Sequence, residues 1–277
     1  MAILNASIYS SALQRTIPVT VVLPSDKTDM EGKRCAKPPF KTLYLLHGIF
    51  GDQQDWLMQT RIARWAMDHN IAVVMPAGEN HFYLNQPGRG FNYGDLIGEE
   101  LVDLTREMFP LSDQKEDTFI GGLSMGGFGA LINGMRNPET FGGIIALSSA
   151  VVDENSFPPD DDCESILGQK SFVQACSGKR SIDEYIGTED DLNTWIRENA
   201  KNGQHQKIYL ACGTDDFLIV KNRDLRDRLE ELGYDVTYDE QPGSHDWDFW
   251  DMEIYKALNW IDPKVEEGIS SGNVGSH

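Results

Sequence analysis

The chain has 277 residues, a length that suits one large domain or one domain carrying an insertion, and its 24 basic against 44 acidic residues leave a net charge of −20. So acidic a surface repels nucleic-acid phosphates and anionic lipid, which sets both aside as partners. A hydrophobic content of 40%, with 12 Phe, 9 Tyr and 6 Trp, is enough for a real core and excludes disorder as the main state.

No apolar run in the sequence reaches the roughly 18 residues of a membrane span. The start, MAILNASIYSS, carries neither the basic nor the long apolar region of a secretory signal. Residues 17–23 read as a strand stopped by Pro24, and a polar loop with Pro38 and Pro39 follows. Residues 42–46 form a short, nearly continuous apolar run, as expected of a strand covered on both faces, and 71–75, 118–120, 143–147 and 207–211 repeat the type, with 235–238 as the last strand. Between them lie helix-length patterns at 56–67, 95–108, 125–135, 220–232 and 250–260. This alternation predicts an α/β fold, a mainly parallel sheet with helices on both faces, in one domain over residues 1–262.

Residues 150–205 break the rhythm, with Asp153, Glu154, Asp160, Asp161, Asp162 and Glu164 near their start and Pro158-Pro159 among them. An insertion between two strands of such a sheet lies over the carboxyl ends where ligands bind, so a cap-like partial lid is expected. The Gly/Ser-rich residues 263–277 are expected to be a flexible tail. Four cysteines, Cys35, Cys163, Cys176 and Cys212, form no CxxC pair and no zinc-ligand spacing. Free thiols in a reducing cytoplasm and no metal are the reading, with a Cys163–Cys176 bond left open because both lie in one irregular segment.

The strongest local signal is GGLSMGG at 121–127, directly after a predicted strand and before a predicted helix. It contains G-x-S-x-G with Ser124 at the centre, and in that context it predicts a tight turn that projects the serine at the edge of the sheet. Gly122 and Gly126 remove the Cβ atoms that would clash there. The start of the following helix aims free N–H groups and the positive dipole end at charge developing near the hydroxyl.

A serine nucleophile needs a base, and the base needs an orienting carboxylate; behind the nucleophile elbow of α/β-hydrolases the acid and then the histidine follow the serine in the chain. Downstream of Ser124 stand only His205, His245 and His277. His245, in the turn-rich QPGSHDW at 241–247 after the final strand, can reach over the elbow; His205 precedes a strand at the wrong end of the sheet, and His277 is in the tail. The loop CGTDDFL at 212–218 offers Asp215 and Asp216, and spacing alone does not choose between them. Either could instead cap the helix that follows. Asp246 is too close in sequence to His245 to orient it. One oxyanion donor is expected at the amide of Met125, and the other in the loop after an early strand, where Gly48 lets the Ile49 N–H turn inward. His47 beside it is read as a brace for this loop rather than as a base.

Together YLLHGIFG at 44–51 with Trp56, FIGGLSMGG at 119–127, CGTDDFL at 212–218 and GSHDW at 243–247 resemble the esterase D-like α/β-hydrolases, nearest to the bacterial tributyrin (short-chain acyl) esterases. The resemblance spans residues 2–260 with the motifs in the family's order. It implies an α/β-hydrolase fold and a serine esterase acting on small esters, often acetyl or butyryl, without metal or organic cofactor. It also implies that the acid is the aspartate directly before Phe-Leu, Asp216, and supports Ser124, His245 and the amides of Ile49 and Met125. Some relatives act on acetylated or feruloylated carbohydrates, and one branch hydrolyses S-formylglutathione. That branch usually carries a cysteine near the oxyanion loop, where this chain has Ile49, Phe50 and Gly51. Family members are frequently oligomeric, so a homo-oligomer is plausible. Phe50, Trp56, Tyr83 and Trp247 are candidates to wall a substrate pocket. A non-catalytic binding module on the same fold would have lost a member of the serine–acid–histidine set, and all three are present.

Overall fold

The structure, a computed structural model, describes residues 2–264, so nearly all of the expected tail at 263–277, His277 included, lies outside the described residues. Its strands are β1 (Ala2–Ser10), β2 (Arg15–Leu23), β3 (Lys41–Leu46), β4 (Ile71–Pro76), the two-residue pair β5 (Asn85–Gln86) and β6 (Phe91–Asn92), then β7 (Thr118–Leu123), β8 (Gly143–Leu147), β9 (Lys207–Gly213) and β10 (Val236–Gln241). Eight of them form one sheet in the order β1-β2-β4-β3-β7-β8-β9-β10. β1 and β2 pair antiparallel, β2 runs antiparallel to β4, and every later pairing is parallel.

The sheet has helices on both faces because its central strands are apolar on both faces. In β3, Tyr44 and Leu46 join a core on one side, and Leu43 and Leu45 join a second core on the other. That is the period-two alternation of a pleated strand. Helices α1 (Asp55–Gln59) and α2 (Ile62–His69) replace the single helix expected at 56–67. Thr60 is extended between them, and the Arg61 N–H is bound at 2.8 Å by the Asp251 carboxylate from a distant helix rather than by a local carbonyl. Next come α3 (Tyr93–Asp95), a π-helical turn at Leu96–Glu100 and α4 (Leu101–Met108), which together occupy the expected helix at 95–108. They are followed by α5 (Met125–Arg136), α6 (Lys170–Ser177), α7 (Leu192–Lys201), α8 (Ile219–Glu231) and α9 (Trp247–Ile261).

Between β8 and β9 the chain does leave the sheet, but the expected 150–205 segment is not all excursion. Its last part is α7, whose Ile196 is in the core and whose Asn199 side chain donates to the Met135 carbonyl at the end of α5, 2.8 Å away. That is an ordinary crossover helix packed on the sheet's helical layer. Asp160, Asp161, Asp162 and Glu164 are exposed, as solvated acids. All four cysteines are free thiols, Cys163 exposed and Cys176 buried, so no bond joins that pair.

From β3 the chain moves to one side to make β4 and then crosses to the other side of β3 to make β7. The strand order therefore reverses between β3 and β7, and a crevice opens outside their carboxyl ends, where α/β sheets hold ligands. The loop starting at His47 and the turn at Ser124 flank that crevice.

Candidate active site

Ser124 sits between β7 and α5 with φ 52 and ψ −115, a backbone conformation that L-residues rarely adopt. Such strain costs on the order of 1–3 kcal/mol and persists only when the surroundings over-determine it. They do: the Ser124 N–H donates to the Leu147 carbonyl at 2.9 Å, and the Ser124 carbonyl accepts from Phe128 and Ala150 at 3.1 and 3.0 Å. The flanking glycines are obligatory. A Cβ on Gly122 would stand 2.4 Å from the Gly126 carbonyl oxygen, and one on Gly126 would stand 2.5 Å from that of Leu46. Met125 is the first residue of α5, so its N–H has no partner within the helix.

His245 Nε2 lies 3.0 Å from Ser124 Oγ, and its Nδ1 lies 2.8 Å from Asp216 Oδ2. Asp216 is buried, and its second oxygen accepts the Leu218 N–H at 2.8 Å. Burial alone raises that carboxyl, but hydrogen bonds from His245, the Leu218 amide and Ser148 outweigh it and hold Asp216 below the ordinary carboxylate value. An ionised Asp216 assigns the imidazole proton to Nδ1 and leaves Nε2 free to accept the serine proton. Asp215, one residue earlier, is exposed, and only its backbone takes part, donating to the Gly243 carbonyl at 3.0 Å. That bond ties the acid loop to the histidine loop. Asp246 caps α9 by accepting the Phe249 N–H at 3.1 Å, which fixes the chain immediately after His245. The imidazole is held between Phe217, 4.6 Å away between centroids, and Trp250, edge-on at 4.9 Å. His205 is exposed, ahead of β9 at the opposite end of the sheet.

The loop after β3 is clamped by the segment after β4. His47 is buried; its Nε2 accepts the Gly78 N–H at 2.8 Å, which puts the ring proton on Nδ1, donated to the Gly48 carbonyl at 2.7 Å. The Tyr83 hydroxyl donates to the His47 carbonyl at 3.0 Å, and the Phe50 N–H donates to Asn80 Oδ1 at 2.8 Å. The sequence gives no local sign of this clamp beyond Gly78, at which a Cβ would meet the Tyr83 ring at 2.2 Å. Burial pushes the His47 imidazole below its ordinary value of 6.5, against the Gly48 carbonyl and Asp55 and Asp52, which act to raise it. Because the unfolded chain then binds the proton first, stability falls as pH drops below about 6.5 towards the folded value. Melting temperature measured from pH 7 down to pH 5 is expected to fall less steeply in His47→Gln than in the wild type. His81, also lowered by burial, contributes equally to both proteins.

Beside Ser124 opens a cavity of about 220 Å³, walled by Ile49 and Met125 on the sheet side. The chain between β8 and α7 supplies Phe157, Leu167, Phe172, Val173 and Tyr185 to its other walls. The four candidate pocket aromatics fare differently. Trp56 is wholly buried in the core, with its indole N–H donated to the Leu46 carbonyl at 2.9 Å, and Tyr83 is the clamp of the His47 loop. Trp247 packs edge-on against Trp56 and Trp250 in that same core layer. None of these three walls the cavity, because hydrogen bonds and core packing turn their rings away from it. Phe50 is 59% exposed and rests against Phe172, whose ring does line the cavity. Among the described residues, no group of three or more His, Cys, Asp or Glu side chains is placed to hold a metal ion, and no helix is long and apolar enough to cross a membrane.

Sheet order and the strained turn at Ser124 are those of an α/β-hydrolase, and Ser124, His245 and Asp216 are joined in one chain of hydrogen bonds. The chain belongs to the Esterase family, whose model matches residues 10–261, and it is a carboxylic ester hydrolase. A curated acetyl esterase from Caldicellulosiruptor saccharolyticus is 40% identical over 263 residues, covering 94% of this chain and 98% of the relative. The solved S-formylglutathione hydrolase from Staphylococcus aureus is similar with a TM-score of 0.78 at 29% identity, over 94% of this chain and 98% of that one. A ferulic acid esterase with a TM-score of 0.71 and 20% identity, over 95% of this chain and 97% of its own, shares the fold.

Proposed function

We propose that the protein hydrolyses short-chain acyl esters, acetyl to butyryl, through an acyl-enzyme on Ser124. The observation that carries this reading is the hydrogen-bonded Ser124–His245–Asp216 chain opening into an apolar cavity of only about 220 Å³, below the roughly 300 Å³ of the smallest drug-sized pockets. His245 takes the serine proton as Oγ attacks the ester carbonyl, and Asp216 holds the ring and stabilises the imidazolium. The amides of Ile49 and Met125 receive the tetrahedral oxyanion. His245 protonates the leaving alcohol, then activates the water that frees the acyl group. The acetyl esterase relative supports the acyl size, and acetylated carbohydrates fit the reading as a source of such esters. The four free thiols suit a cytoplasmic location.

Initial rates on p-nitrophenyl acetate, butyrate, hexanoate and octanoate test the reading. Acetate and butyrate are expected to give the highest kcat/KM, with octanoate at least tenfold lower; octanoate at parity overturns the short-chain assignment. The second reading, an S-formylglutathione-type thioesterase, draws on the 29% identical relative. A higher kcat/KM on S-formylglutathione than on any oxygen ester would decide for it.

A further inference from the structure

Among the 19 residues around the cavity beside Ser124, Lys221 is the one that carries a charge. It comes from the first turn of α8, and its ammonium donates to Asp153 Oδ2 at 2.8 Å and to the Val151 carbonyl at 3.4 Å. Both partners belong to the segment just after β8, so Lys221 laces α8 to the start of the excursion that roofs the cavity. A second cavity of about 340 Å³ adjoins the first, and Val151, Val152, Tyr185 and Lys221 line both. Those four residues are therefore the partition between them. Beyond it the walls turn polar, with Asp153, Asn155, Asp191, Asp224 and Arg228. Asp153 is fixed independently of the lysine, since its carboxylate also accepts from the Asn155 N–H and the Ser156 hydroxyl, each at 3.0 Å. The ion pair is thus anchored from the roof side and reaches across to α8.

An acyl chain growing through the apolar cavity gains from every methylene it buries, about fourfold in binding per group. The gain ends where the chain meets the partition. There the next methyl group must either displace the Lys221 ammonium from Asp153 or lie against it, and both strip partners or part of the solvent from a charge pair whose side chains are only 32% and 36% exposed. We propose that Lys221, held by Asp153, sets the upper limit of acyl-chain length by closing the acyl cavity against the polar cavity beyond it. The inference rests on the short-chain reading of the cavity given above.

Methionine at 221 matches the lysine stem in length and removes the charge, whereas arginine keeps a cation that can reach Asp153. The test is kcat/KM for p-nitrophenyl butyrate and octanoate in the wild type, Lys221→Met, Lys221→Arg and the double variant Lys221→Met/Asp153→Asn. The double variant leaves no carboxylate without its partner, and circular dichroism melting confirms that each protein is folded. The octanoate-to-butyrate ratio is expected to rise at least tenfold in Lys221→Met and in the double variant, and to stay within twofold of wild type in Lys221→Arg. An unchanged ratio in both methionine variants, in enzyme that still hydrolyses butyrate, overturns the partition and leaves the esterase reading standing. An equal rise in Lys221→Arg also overturns it, because the effect then follows from disturbed packing rather than from charge. No hydrolysis of either ester by the wild type removes the functional reading, and the partition with it.

Discussion

Ser124→Ala is expected to lower kcat on p-nitrophenyl butyrate by about 10⁴- to 10⁶-fold, the range in which loss of a serine nucleophile leaves only the contributions of binding and oxyanion stabilisation. The substitution is clean because the strained backbone is not the side chain's doing. Position 124 keeps a Cβ, its φ of 52 remains enforced by Leu147, Phe128 and Ala150, and only the hydroxyl is lost. His245 keeps its bond to Asp216. The stability change is therefore that of one partly exposed hydrogen bond, about 1 kcal/mol, and melting temperature should move by only a few degrees. Initial rates and thermal melts on the same preparation separate the outcomes. A residual kcat within tenfold of wild type means that Ser124 is not the nucleophile, while a collapsed melting temperature assigns the loss to the fold instead.

How far the fold could be read from the sequence follows from how local its causes are. The parallel strands were legible because burial on both faces writes an unbroken apolar run, as in Leu43, Tyr44, Leu45 and Leu46. The strand at Ala2–Ser10 was not read, because it covers only one face and writes alternation in small or mixed residues, Ala2, Leu4, Ala6 and Ile8 half-buried against exposed Ile3 and Tyr9. The break near Thr60 had no readable cause, since the carboxylate that binds the Arg61 amide is Asp251, far along the chain. The limit of the excursion is hidden for the same reason. Nothing in 192–201 says that Asn199 will meet the Met135 carbonyl.

The site divides along the same line. Ser124 was legible because a tight strand-to-helix turn demands glycines at fixed offsets, and His245 because few histidines follow it. The cavity walls were not legible, because aromatics near a motif in sequence need not face the motif in space. Trp56 is drawn under the sheet by the Leu46 carbonyl, while Phe157, Phe172 and Tyr185 arrive from the excursion without any pattern that marks them. The clamp of Gly78, Asn80 and Tyr83 on the His47 loop is hidden too, since each of its bonds pairs a side chain with a backbone group 30 to 36 residues away.

The choice between Asp215 and Asp216 is the sharpest case, because the two are neighbours in one loop and only the family resemblance separated them. Asp216→Asn is expected to lower kcat by about 10⁴-fold, and Asp215→Asn to change it by less than about threefold. An amide at position 216 presents either a donor, which cannot pair with Nδ1–H, or a weaker, uncharged acceptor. The ring then favours the proton on Nε2, where it blocks acceptance from Ser124, and no negative charge remains to balance the imidazolium. Asp215 is exposed, and its contribution is the backbone N–H bond to Gly243, which asparagine retains. The two variants also differ in acid stability. Because the folded state holds the Asp216 carboxyl below its ordinary value of 3.8, the wild type gains stability above that pH and loses it as pH falls through the folded value. Asp216→Asn should therefore flatten the melting curve against pH on the acid side of about pH 4, and leave its shape near neutrality alone. Loss of activity in Asp215→Asn with Asp216→Asn near wild type would reassign the acid to the exposed residue, and a comparable loss in both would mean that the loop's geometry, rather than either charge, is what His245 requires.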